Sequence, residues 1–349
     1  MKLNFKYSDI SKYRGMIMGI AAISIILFHF SNECKVASLH YYPWNEFILN
    51  FISSSGVDIF LILSGYGLYY SFKKNNNVKE FYKKRFIKIL IPYIIFCLPA
   101  IIIRYIFMES GNLIHVFSNF LFITIFTKGQ TWFWYILLIL ICYAVFPQIY
   151  NFIEKPKKDI DKSMNFIMLI TFTILLNVIL ATNDLTIFKN INILTLRIPI
   201  FILGVYIGRQ SYQKKELNII QVIALIVCST FFYPTINSAI TLRRYEFALI
   251  AIVTYILLIK LFNIIDKYKI FQKLKLILEK VGSYSLELYL THVCIISIIN
   301  HTGNTTAAYK YFIIEIIFTI VSSIIIKKLT DLISKKLKKI GWKKWRKRK

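Results

Sequence analysis

The chain has 349 residues, of which 57% are hydrophobic and 17% charged, with a mean hydropathy of +0.58 and a formal net charge of +27. A soluble domain carries about 25% charge, and the few Gly (12) and Pro (7) exclude a disordered or collagen-like chain. Five cysteines without a CxxC or CxH pairing, four of them (Cys97, Cys142, Cys228, Cys294) in apolar runs, argue against a disulfide framework and a zinc site, and the basic excess fits loops on anionic lipid far better than nucleic acid.

A helix that crosses the hydrocarbon core needs roughly 20 mostly apolar residues. Ten such runs follow one another at 15–32, 47–72, 86–107, 132–153, 164–182, 191–208, 217–235, 245–265, 283–300 and 311–330. The first lacks a small-residue cleavage site and is followed by a second span, so it reads as a retained helix rather than a signal peptide. The stretch 113–126 is short for a span and carries His115 and Asn119, which predicts an interfacial or re-entrant helix. The sequence thus predicts an all-α, polytopic membrane protein of about ten transmembrane helices, with a membrane unit over 1–334 and a basic cytoplasmic tail over 335–349.

Alternate connections test this count, because Lys and Arg concentrate on the cytoplasmic side. Lys2, Lys6, Lys12 and Arg14 precede span one; Lys73, Lys74, Lys79, Lys83, Lys84, Arg85 and Lys88 follow span two. Later even-numbered connections at 155–162, 209–215 and 267–280 are also basic, and 335–349 has ten Lys/Arg and no acid. The opposite connections are sparse, with Lys35, Lys128, Lys189, Arg243, Arg244 and Lys310. Both termini are therefore expected to be cytoplasmic. Trp342 and Trp345 in the tail read as aromatic anchors on headgroups.

Ionisable groups within the hydrocarbon cost several kcal/mol by most scales and mark functional sites by default. They are His29, Asp58, Arg104, Arg197, Glu287, His292 and Glu315. Spans one and two are joined by a short loop, which predicts that His29 and Asp58 lie at similar depth toward the outside. An aspartate that fixes the imidazole tautomer makes a general base; a hydrogen bond that merely joins two helices is the alternative. Arg85 and Lys88 share a helix face near the cytoplasm. They suit an anionic ligand such as a nucleotide phosphate, or simply follow the positive-inside rule. Pro92, next to Tyr93, is expected to kink or open span three. Ser53-Ser54-Ser55-Gly56, Ser64-Gly65 and Gly67 read as close helix packing, and Trp132-Phe133-Trp134-Tyr135 as an aromatic belt. His40, His115 and His301 have no ligand spacing, and no metal is expected.

Five segments together resemble the integral-membrane acyltransferase-3 family, which includes bacterial O-acetyltransferases of cell-surface polysaccharides. Arg14 with Met18-Gly19-Ile20-Ala21 and Leu27-Phe28-His29 resembles the family's first span. Gly56-Val57-Asp58-Ile59-Phe60-Leu61-Ile62-Leu63-Ser64-Gly65-Tyr66 is similar to its G-V-D-x-F-F-x-x-S-G-F/Y signature. Phe81 to Tyr93 is similar to its R-x-x-R-x-x-P-Y stretch, with Lys88 in the second basic position, where the charge stays but bidentate geometry is lost. Leu196 to Gly204 resembles a later span, and Gly282 to His292 resembles G-x-x-S-x-x-x-Y-L-x-H. The extracytoplasmic hydrolase-like domain of some members is not expected here.

The resemblance implies transfer of an acyl group, most often acetyl, from cytoplasmic acyl-CoA to a hydroxyl of an extracytoplasmic or lipid-linked glycan. It implies His29 as general base with Asp58 orienting it, and Arg85 and Lys88 as donor-binding residues. Tyr93, Arg197 and His292 are implied as cavity-lining groups, Tyr93 and Arg197 also as oxyanion stabilisers. The expected partners are the glycan acceptor and membrane lipid, with no nucleic acid, in a multi-pass protein of the plasma membrane; a homo-oligomer is compatible with the sequence. A polysaccharide or lipid flippase or transporter would share ten spans, but neither repeat symmetry nor paired broken helices is visible. A non-catalytic membrane subunit or sensor would not need His29 beside Asp58.

Overall fold

The structure, a computed structural model, describes residues 5–36, 56–129, 132–183, 185–217, 223, 240–301 and 307–346. Nearly all of them are helical. The long helices are α1 (Asp9–Val36), α2 (Gly56–Lys74) and α3 (Val78–Met108). Two short helices follow, α4 (Leu113–Phe120) and α5 (Ile123–Lys128). Then come α6 (Trp134–Glu154), α7 (Asp159–Thr182), α8 (Thr186–Thr195) and α9 (Ile198–Tyr212). The chain ends with α10 (Ile240–Ile265), α11 (Lys269–Ser283), α12 (Ser285–His301) and α13 (Ala307–Arg346), the last running continuously into the expected basic tail.

Among the described residues six helices are long and apolar enough to cross a membrane, or seven if the bent pair α11–α12 counts as one span. The expected spans 47–72 and 311–330 correspond to α2 and α13. Asp58, Lys73 and Lys74 on the first, and Glu315, Lys327 and Lys328 on the second, dilute their apolar character. The expected span 217–235 lies almost wholly outside the described residues. The stretch 113–126 breaks at Phe122, whose φ is +61°, into helices of 8 and 6 residues. Neither half approaches the roughly 20 residues a crossing needs. Exposed Leu113, Ile114, Phe117 and Leu121 suit an interfacial or re-entrant hairpin.

Ion pairs gather at one end of the bundle, hereafter the basic end. There Lys12 meets Asp266 at 2.6 Å, and Glu154 and Asp159 hold the buried Arg209. Tyr66 and Tyr70 hydroxyls meet Ser211 Oγ at 2.9 Å, and Ser11 Oγ lies 2.6 Å from the Tyr66 hydroxyl. These contacts fasten the ends of α1, α2 and α9. Two-residue strands β1 (Phe5–Lys6) and β2 (Glu216–Leu217) add an antiparallel clasp, with Phe5 opposite Leu217.

The core is closed by backbone contact between α2 and α9. A methyl group on Gly204 would lie 2.4 Å from the Ile62 carbonyl oxygen, and one on Gly65 would lie 2.5 Å from that of Phe201. This is the close approach expected from the small residues of span two. Two expectations are corrected. The basic stretch after span eight is not a plain loop, because 269–283 forms the amphipathic α11, which buries Phe271 and Leu278 and exposes Ile270 and Ile277. The run 132–135 is not a lipid-facing belt. Phe133 and Tyr135 are buried, and the tryptophan rings meet guanidinium groups from within the protein, Trp132 that of Arg104 at 4.5 Å and Trp134 that of Arg197 at 4.7 Å.

Candidate active site

Pro92 cannot donate the backbone hydrogen bond that an unbroken α-helix needs. The helix does not stop there; it widens into a π turn at Tyr93–Cys97, and a second π turn follows at Ile103–Met108. α3 thus carries a basic segment on one side of Pro92 and an aromatic segment on the other.

On the basic side stand Arg85, half-buried, and Lys88, one turn further on. Lys88 is exposed, yet the charges of Arg85, Arg14, Lys327 and Glu287 surround it from α3, α1, α13 and α12. Lys88 thus stands where α1, α3, α12 and α13 converge, a cationic recess of the bundle. Arg85 adjoins Arg14 and Tyr143. Arg14 reaches across to α2, its Nη2 donating to the Leu63 carbonyl at 3.4 Å, and it fits because position 67 is glycine: a methyl there would lie 2.9 Å from Nη2. Lys327 donates to the Ser283 carbonyl and sits 4.4 Å above the Tyr284 ring. Four cations thus gather with two carboxylates, Glu287 and Asp331, and Arg14 Nε is buried with no hydrogen-bond partner among the described residues. Such a recess suits a polyanion.

Farther from the basic end, α1 and α12 bring His29 and His292 together, with ring centroids 5.1 Å apart. His292 is 1% exposed and His29 half-buried. Tyr289 packs edge-on against His292 at 5.5 Å.

The expected partnership of His29 with Asp58 is corrected. Asp58 Oδ1 accepts from Arg197 Nε at 3.0 Å. Arg197, at the break between α8 and α9, also donates to the Ile193 carbonyl at 3.1 Å and stacks on Trp134. The physical reason is depth. Gly56 packs against Ala21 and Ile25, so Asp58, two residues further toward the basic end, lies about 10 Å along the axis from His29 at 1.5 Å per residue.

Tyr93 is also corrected as an oxyanion donor. Its hydroxyl donates to the Phe120 carbonyl at 2.9 Å, and its ring lies 5.2 Å from those of Phe120 and Phe122. That proton is committed to holding the α4–α5 hairpin. The structure therefore brings together Arg85 with Lys88 and His29 with His292, and joins Asp58 to Arg197 rather than to His29.

Sequence reasoning missed Lys327, which falls inside the expected span ten, and the placing of Arg14. The Gly at position 67, four residues from Leu63, was the available signal. Among the described residues no group of three or more His, Cys, Asp or Glu side chains is arranged to hold a metal ion.

The acyltransferase-3 family model, described as an acyltransferase domain, matches residues 17–328. No curated protein and no solved structure matches. The match spans α1 to α13 and takes in both histidines and, of the recess, Arg85, Lys88 and Lys327, so the chain belongs to the acyltransferase-3 family and is a membrane acyltransferase.

Proposed function

We propose that this acyltransferase moves an acetyl group from cytoplasmic acetyl-CoA to a hydroxyl of an extracytoplasmic or lipid-linked cell-surface glycan. It does so in the plasma membrane, with ten crossings and both termini cytoplasmic. One observation carries the reading. The cationic recess and the histidine pair share helices α1 and α12: Arg14 and His29 are about 22 Å apart along α1, while Glu287 and His292 are about 7.5 Å apart along α12, at 1.5 Å per residue, so the charged recess runs from the basic end up toward the histidines. Cations that begin at the basic end and approach the proton-transfer groups suit a long donor held by its phosphates, with its thioester reaching toward the histidines.

In this mechanism Arg85 and Lys88, joined by Arg14 and Lys327, hold the phosphates of the donor. His29 removes the proton of the acceptor hydroxyl as the oxygen attacks the thioester carbonyl. The new C–O bond forms, the C–S bond breaks, and the proton passes from His29 to the leaving thiolate. Asp58 and Arg197 brace the wall between α2 and the α8–α9 break.

The test has two arms. Membranes containing the protein should release free thiol from acetyl-CoA when given cell-envelope glycan, and glycan from a deletion strain should lack one acetyl mass per modified sugar. Unaltered glycan together with no thiol release would sink the reading.

A further inference from the structure

His292 holds a buried acceptor that the bundle itself leaves unused. Its Nδ1 lies 2.8 Å from the Leu288 carbonyl oxygen, one turn earlier on α12. A carbonyl oxygen only accepts, so Nδ1 carries the proton, and in the neutral ring Nε2 carries the lone pair. Nε2 is buried and has no hydrogen-bond partner among the described residues. Leaving such an atom unpaired costs about 1–3 kcal/mol, and each instance in a folded protein asks for an explanation.

The neighbouring imidazole is that of His29, 5.1 Å away between centroids and tilted by 54°. Ring nitrogens lie roughly 1 Å from the centroid, so a 5.1 Å separation is the spacing at which two imidazole nitrogens turned toward each other come to about 3 Å, an N–H···N distance. Of the two rings His292 is the fixed one, held by Leu288 on one side and Tyr289 on the other.

We infer that His292 is the positioning residue for His29: its Nε2 accepts a hydrogen bond from one nitrogen of His29, so that the lone pair of the other faces the acceptor hydroxyl. The inference rests on His29 being the general base. It fills the post vacated by Asp58, whose carboxylate is engaged by Arg197. The chain of bonds runs from the Leu288 carbonyl through His292 Nδ1–H and Nε2 to His29 N–H, and ends at the free lone pair of His29. When His29 takes the hydroxyl proton it becomes an imidazolium, and its bond to Nε2 becomes charge-assisted and stronger. The contact therefore favours the transition state over the ground state. The proton leaves His29 for the thiolate sulfur as the C–S bond breaks, and His292 ends the cycle as it began.

The test compares His29→Ala, His292→Phe and His292→Gln in full-length protein in native membranes. Transfer of labelled acetyl from acetyl-CoA to the cell-envelope glycan fraction is measured per folded molecule, with the melting temperature of each variant. Phe fills the imidazole space without an acceptor; Gln offers an amide oxygen near the Nε2 position but cannot act as a base. Losing a hydrogen bond to a charged group should lower kcat about 10- to 100-fold in His292→Phe, with KM for acetyl-CoA and melting temperature unchanged. His292→Gln should recover most of that loss. Combined with His29→Ala, His292→Phe should add nothing. If Phe does not insert, Leu takes its place in the comparison. Full kcat in His292→Phe, equal inactivity of Gln and Phe, or additive losses in the double variant would overturn the inference while leaving His29 as base. An active His29→Ala would instead remove the base itself, and the inference with it.

Discussion

Asp58 and Arg197, 139 positions apart in sequence, form a buried ion pair with Nε and Oδ1 3.0 Å apart. The carboxylate side chain is 1% exposed and the guanidinium side chain 10%. Removing one partner of such a pair strands the other charge, at a cost of about 3–5 kcal/mol. Asp58→Asn and Arg197→Gln should each lower the melting temperature in detergent by several degrees. The double variant should be less damaged than the sum of the singles. Strict additivity would show that the two side chains do not act as a pair.

His29 should behave oppositely. Its ring joins no ion pair in the described structure, so His29→Ala should leave thermal stability nearly unchanged. A general base typically contributes about 10²–10⁴-fold, and transfer to glycan should fall by that factor. Loss of stability with full activity per folded molecule would make His29 a packing residue.

The recess at the basic end should bind the phosphates of the donor. Arg85→Ala, Lys88→Ala and Lys327→Ala should each weaken coenzyme A binding by about 10- to 100-fold, the worth of a hydrogen bond to a charged group. The wild-type affinity should fall with added salt, because the Debye length shrinks from about 10 Å at 0.1 M to about 3 Å at 1 M. Titration calorimetry reads both effects. Salt-independent binding, unchanged in the three variants, would leave the cations as markers of topology.

Two glycine substitutions should separate folding from donor binding. Gly204→Ala drives a methyl into the Ile62 backbone, 2.4 Å from its carbonyl oxygen, and overpacking of this kind costs about 1–3 kcal/mol. Its melting temperature should drop. Gly67→Ala meets the far end of the Arg14 side chain, which can swing away. That variant should fold normally and show a raised KM for acetyl-CoA. Identical behaviour of the two would contradict the placing of Arg14.

At the basic end, the Lys12 ammonium donates a hydrogen bond that holds the Asp266 carboxyl down at about 2, with Gln272 and Lys275 assisting. A carboxyl depressed on folding stabilises the protein above its unfolded value near 4. That contribution disappears as the pH falls from about 4 to about 2. The stability gap between wild type and Asp266→Asn should therefore be full at pH 7 and close in the acid range. A gap that persists at pH 2 would assign the effect to packing.

The apolar runs made most of the helices legible, because length and hydropathy alone decide what can span a bilayer. Pro92 likewise announced the irregular winding of α3. What stayed hidden was relative depth. The register of α2 against α1 depends on Gly56 resting on Ala21 and Ile25, a contact with no signature in either run taken alone. The sequence therefore pairs Asp58 with His29 on the adjacent span, whereas an arginine 139 positions away holds its Oδ1. Lys327 was equally silent, because a lysine in the last turn of an apolar run has no partner in sequence, and only the convergence of α13 on α3 sets it beside Lys88. The helix 269–283 escaped notice because its lysines masked an apolar face that lies on α1.

The two π turns of α3 make that helix a screw whose thread slips twice. Each residue of an α-helix advances the azimuth by about 100°, and a π turn accommodates one residue more than the α thread would. Beyond the first slip Cys97 packs its sulfur 3.7 Å from that of Cys294, and the second slip contains Arg104, which reaches Ser297. The winding, rather than the identity of any side chain, therefore sets which flank of α3 looks at α12. Deleting one residue from the regular turn 98–102, which holds no surplus residue, would rotate everything beyond it by about a quarter revolution and carry Arg104 off Ser297. Deleting one residue between 93 and 97 would instead return that turn to the α thread and leave Arg104 facing Ser297.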